Sequence, residues 1–70
     1  MLMKVFAERL VELRKQNKYT QRAMADKLSI AQPSYIRYEH GSAEPSYEKL
    51  VQIADLFDVS IDYLLGRTNY

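Results

Sequence analysis

Few residues in this chain could make or break a covalent bond. His40 is the only histidine and there is no cysteine. That excludes disulfides, thiolate zinc sites, a cysteine nucleophile and a histidine-cluster metal site. No Ser-His-Asp set, paired acids or glycine-rich phosphate loop can be assembled, so an enzyme is not expected and no cofactor, metal or small-molecule ligand is implied. Charge is the more informative property. Residues 1–40 carry eight Lys/Arg against four acids, and residues 41–70 carry two (Lys49, Arg67) against five, giving +4 and −3 within a net charge of +1. Such polarity fits a basic face toward a polyanion and an acidic face turned away. It fits two ordinary solvated surfaces as well.

The elements that must position these charges are helical. Seventy residues allow one domain, 1–70. No apolar run approaches the roughly 20 residues needed to span a bilayer, and the start of the chain lacks a signal-peptide stretch. A soluble, cytoplasmic protein is the expectation. Apolar residues recur with the helical period almost throughout, so five helices are predicted near 4–17, 21–28, 32–40, 47–57 and 61–65, with no strands. Phe6, Leu10 and Leu13 mark the inner face of the first. Thr20, Ser46 and Ser60 are cap residues, with Tyr19–Met24 and Val59–Leu64 spaced as hydrophobic staples. Gly41 and Gly66 are stops. Tyr35 and Tyr38 are expected to point inward, although aromatics near basic residues can also stack on unpaired bases.

The informative stretch is residues 20–41, TQRAMADKLSIAQPSYIRYEHG: a helix, a tight turn and a second helix. In that arrangement the first helix braces across a phosphate backbone and the second can lie in the major groove of a duplex. Around it stand Arg9-Leu10 and Leu13-Arg14. Within it come Thr20-Gln21, Met24-Ala25, Lys27-Leu28, Ile30 and Arg37-Tyr38-Glu39-His40-Gly41. After it follow Pro45-Ser46, Leu50, Ile53-Ala54, Val59-Ser60 and Asp62-Tyr63-Leu64-Leu65. With this ordered set the sequence resembles the Cro/repressor-type, xenobiotic-response-element-like helix-turn-helix family over about residues 6–66.

The resemblance implies an all-α, compact five-helix lambda-repressor-like domain that binds double-stranded DNA. It implies a transcriptional regulator, a repressor acting as a homodimer on a palindromic operator. Gln21 matches a glutamine that bonds a phosphate and braces the reading helix. Gln32, Pro33, Ser34 and Arg37 match positions facing base edges or flanking phosphates. Glutamine pairs bidentately with adenine and arginine with guanine. Ile36 lies beside them, where it can meet thymine methyl groups or simply be an isolated exposed apolar residue. His40 sits at a phosphate-contacting position and can equally cap its helix. Arg22, with Lys15, Lys18 and Lys27, is a candidate phosphate contact. Arg14 and Glu39 match a structural salt bridge. Ile61, Leu64 and Leu65 match the region that often joins two copies; the alternative is that all three complete the monomer core. Tyr63 and Tyr70 are surface or dimer residues.

Three positions depart from the family pattern. Ala31 replaces a capping Ser or Thr, which forfeits about 1 kcal/mol. Pro33 disfavours the α conformation at Gln32, so the third helix is expected to start one residue later with Gln32 as its cap. Asp58 stands where glycine is common between the last two helices. The competing reading is a protein-interaction module, such as an antitoxin or anti-repressor. With no added sensing domain in the sequence, regulation is expected from a partner, from concentration or from a segment outside this chain.

Overall fold

Side-chain caps start three of the five described helices, and one shared device ends all five. The computed structural model describes residues 3–69. Within these it contains α1 (Met3–Gln16), α2 (Gln21–Lys27), α3 (Gln32–His40), α4 (Tyr47–Phe57) and α5 (Ile61–Leu64), with no strand. Thr20 Oγ1 accepts from Ala23 N at 3.0 Å, Ser46 Oγ from Lys49 N at 3.2 Å and Ser60 Oγ from Tyr63 N at 2.9 Å. Each satisfies one of the backbone donors that the first helical turn leaves over.

At the other ends a residue with positive φ follows every helix: Lys18, Ser29, Gly41, Asp58 and Gly66. Directly after each, a backbone N–H donates five residues back: Tyr19 to Arg14, Ile30 to Ala25, Ser42 to Arg37, Val59 to Ala54 and Arg67 to Asp62, all at 2.9–3.1 Å. This is the Schellman closure, in which the left-handed residue turns the chain back over the last carbonyls. Tyr19, Ile30 and Val59, the residues just past three of these turns, pack against the core. Only two of the five turns use glycine. Lys18, Ser29 and Asp58 adopt a conformation that costs an L-residue roughly 1–2 kcal/mol.

The start of α3 corrects one expectation. Its cap is Ala31, not Gln32, and Pro33 is the second helical residue. A capping side chain accepts from the second or third N–H of the helix. Pro33 has no N–H to offer, and both Ser34 N (3.0 Å) and Tyr35 N (3.1 Å) donate to the Ala31 carbonyl. Little is left for a cap to satisfy, so the missing Ser or Thr matters less here than elsewhere.

The buried stripes converge on one core. Phe6, Leu10 and Leu13 come from α1, Met24 and Ala25 from α2, Tyr35 and Tyr38 from α3, Ile53 and Ala54 from α4, and Leu64 from α5. Helix α3 packs against α1 and α2, and α5 against α1 and α4. The Tyr38 ring is met edge-on by Phe6 and by Tyr35, both with centroids 6.4 Å apart. The Cα radius of gyration is 10.7 Å, against about 11 Å for a folded chain of this length. Arg9 ties the last segment to α1. It donates to the Tyr63 carbonyl and, at 2.6 Å, to that of Thr68, with its guanidinium carbon 4.2 Å from the Tyr63 ring centroid. No helix among the described residues is long and apolar enough to cross a membrane.

Candidate nucleic-acid interface

Burial fixes which side of α3 is offered to a partner. Tyr35 and Tyr38 are 0% and 9% exposed, three residues apart on one face. The opposite face therefore carries Gln32 and Pro33, then Ile36 and Arg37, then His40, at spacings of three and four. Gln32, Pro33, Arg37 and His40 are exposed, while Ser34 and Ile36 are half-buried. Among the described residues the side chains of Gln32, Ser34, Arg37 and His40 make no hydrogen bond, and Arg37 has no acid within ion-pair distance. Their polar groups are available to an outside partner. Pro33 and Ile36 add apolar surface between them.

Behind this face the ends of α1, α2 and α3 are joined by a polar cluster. Arg14 Nε lies 2.5 Å from Glu39 Oε2, and Arg14 Nη2 donates to Oε1 at 3.2 Å, a two-pronged contact. Arg14 Nη1 donates to the Tyr19 carbonyl at 3.1 Å. The two side chains are 13% and 4% exposed, so Arg14 is committed within the monomer. Gln21 Nε2 donates to Glu39 Oε1 at 3.1 Å. Burial pushes the Glu39 carboxyl up, but the donors that face it, Arg14 first and then Tyr35 and Gln21, together with the Arg14 charge outweigh it. Its pKa lies below the ordinary carboxylate value. Tyr35 Oη is buried near this carboxylate without a hydrogen bond of normal geometry. Burial drives its phenol well above the usual range.

Four other cations lie on α1, on α2 and in the turn between them. Lys15, Lys18, Arg22 and Lys27 are exposed. Lys27 Nζ lies 4.7 Å from the Tyr19 ring centroid, within cation–π range. Ile61 and Leu65 are half-buried, whereas Leu64 is 0% exposed. Leu64 therefore belongs to the monomer core and has no surface to give a second copy, which corrects its grouping with the other two. Tyr63 is half-buried beneath Arg9, and Tyr70 lies outside the described residues.

Sequence reasoning passed over Lys49. Its ammonium donates to the Leu28 carbonyl at 2.6 Å and to Gln52 Oε1 at 3.2 Å. A cation placed at the last turn of α2 supports the helix–turn–helix corner from α4. Its only signal in the sequence is being one of two cations in the acidic half of the chain.

Comparison with known proteins gives a helix-turn-helix family for nearly the whole chain. The profile of a family described as a helix-turn-helix domain matches residues 7–69. The chain is 53% identical over 66 residues to an uncharacterized HTH-type transcriptional regulator, YqaE, of Bacillus subtilis (strain 168), covering 93% of this chain and 57% of that protein. It is 48% identical over 60 residues to the HTH-type transcriptional regulator AnsR of the same organism, covering 86% and 52%. It is also 48% identical over 60 residues to the cryptic phage CTXphi transcriptional repressor RstR of Vibrio cholerae serotype O1, covering 86% and 54%. The chain thus spans about half the length of the curated relatives it matches.

Proposed function

Because the chain belongs to the Cro/repressor-type helix-turn-helix family, we propose that it binds double-stranded DNA sequence-specifically and regulates transcription, acting in the cytoplasm as a repressor. The observation that carries this reading is the outer face of α3. Gln32 and Arg37 stand exposed and, among the described residues, without a side-chain hydrogen-bond partner, while Tyr35 and Tyr38 fasten the other side to the core. A rigidly held helix with free bidentate hydrogen-bonding groups is what major-groove reading requires. The relatives support it: all three are named transcriptional regulators or repressors, one of them of a phage.

Gln32, Ser34 and Arg37 read base edges in this proposal, Pro33 and Ile36 make apolar contact, and Gln21, Arg22 and His40 hold flanking phosphates. Phosphate contacts set register, and base contacts set sequence. A single helix reads only a few base pairs. A homodimer joined through Ile61 and Leu65 would read two half-sites about one helical turn, roughly 34 Å, apart on a palindromic operator.

Selection of bound duplexes from a random library at two salt concentrations tests the reading. The expected product is a palindromic consensus, with affinity falling steeply as salt rises through counterion release. Recovery of no preferred sequence, together with salt-independent binding, would overturn it.

A further inference from the structure

We propose that Glu39 is a positioning residue for DNA binding: held by Arg14, it fixes the Gln21 side-chain amide so that the second N–H of that amide is presented to a backbone phosphate. This rests on the DNA-binding reading above and adds a role to a residue that otherwise only braces the fold.

A glutamine amide has two N–H donors and one acceptor oxygen, at the end of a flexible stem. Left to itself it presents either end to an anion. Here Gln21 Nε2 donates one hydrogen to Glu39 Oε1 at 3.1 Å. Reversing the amide would bring its oxygen against a carboxylate oxygen, which repels it. The carboxylate itself has little freedom. Arg14 grips both of its oxygens, at 2.5 and 3.2 Å, and the Glu39 side chain is only 4% exposed. Arg14 is in turn bonded to the Tyr19 carbonyl at the corner leading into α2. Three helices therefore converge to set the orientation of one amide. Gln21 is half-buried, and with one amide hydrogen given to Glu39 it has a second still to give. Arg14 also cancels the acid's charge, without which a carboxylate this near a phosphate would repel it.

The proposal predicts a change of sign. On charge alone, Glu39→Gln removes a negative group near a polyanion and tightens binding. If Glu39 orients Gln21, Glu39→Gln weakens it instead, because a glutamine at 39 offers a donor as readily as an acceptor and lets the Gln21 amide turn over. Binding of a fluorescent mixed-sequence duplex at low salt is measured for the parent, Glu39→Gln, Gln21→Ala and the double variant, each confirmed folded by circular dichroism at the assay temperature. The expected result is an affinity about two- to tenfold lower for Glu39→Gln, the scale of one net hydrogen bond. No loss is expected from the same change in the Gln21→Ala background. Should Glu39→Gln fail to fold, the parent's side-chain amide spectrum decides. Of the two Gln21 NH2 proton signals, assigned by their loss in Gln21→Ala, one should move on adding duplex and the other stay. Unchanged or tighter binding by folded Glu39→Gln, or two unmoved Gln21 signals in the presence of bound duplex, overturns the proposal while leaving the DNA-binding reading intact. A parent that binds no duplex at all overturns both.

Discussion

The Lys49 ammonium on α4 sits 2.6 Å from the carbonyl oxygen of Leu28, so the fourth helix closes the last turn of the second. Three donors on a flexible stem meet a carbonyl that has no helical partner of its own. Lys49→Met keeps the apolar stem and removes the charge and the bond. Stability should fall by about 1.5–3 kcal/mol, the range for a hydrogen bond to a charged group. Urea unfolding would register this as a lower midpoint at unchanged slope.

Arg37→Ala is expected to weaken binding to the selected operator by about 1–3 kcal/mol and to relax preference at the base it reads. Affinity for random duplex should change far less. Titrating both duplexes with the parent and the variant separates the two contributions. Equal losses on both would reassign Arg37 to a phosphate.

Acid sensitivity follows from Glu39. Its folded pKa is depressed, so the unfolded chain takes up its proton first as pH falls. The stability contributed by this carboxylate is present above the unfolded value of about 4.3 and is lost as pH drops through the folded one. Denaturation midpoints measured from neutral pH downward should show this decline. Glu39→Gln should start lower at neutral pH and lose that part of the acid slope.

The left-handed helix stops give a pair of opposite expectations. Ser29→Gly and Lys18→Gly relieve a backbone cost of roughly 1–2 kcal/mol and give back about half of it as unfolded-chain entropy. Each variant should melt slightly higher than the parent. Gly66→Ala should do the reverse. Gly66 sits at φ +81°, and an added Cβ would fall 2.7 Å from Val5 Cγ1, so this variant is both strained and overpacked. Thermal melts of the three variants check the signs together.

The element order and the all-helical class could be read from the sequence because their signals are local. Thr20, Ser46 and Ser60 cap through bonds to N–H groups three residues ahead, and Gly41 reveals its conformation by its composition. Lys18 and Ser29 do not. Nothing in a lysine or serine side chain demands positive φ; the closing bonds to Arg14 and Ala25 and the packing of Tyr19 and Ile30 impose it. The cap of α3 differs from expectation for a related reason. The preference of the residue before proline points to Gln32, but Pro33 leaves no N–H at the second helical position to cap, so Ala31 serves. Among Ile61, Leu64 and Leu65, spacing alone does not say which turns inward. That depends on how α5 settles against α1 and α4. The bonds from Gln21 and Lys49 need elements distant in sequence to meet, so no window of residues contains them.

The uniform helix endings also bear on how quickly the molecule assembles. Two of the packed pairs, α2 with α3 and α4 with α5, are neighbours along the chain and meet after closing only short loops, at small entropic cost, whereas α1 reaches across to α3 and α5. Small helical domains whose partners lie close along the chain fold within microseconds to milliseconds. Refolding on that scale leaves proteases a short window in which to act on an opened chain.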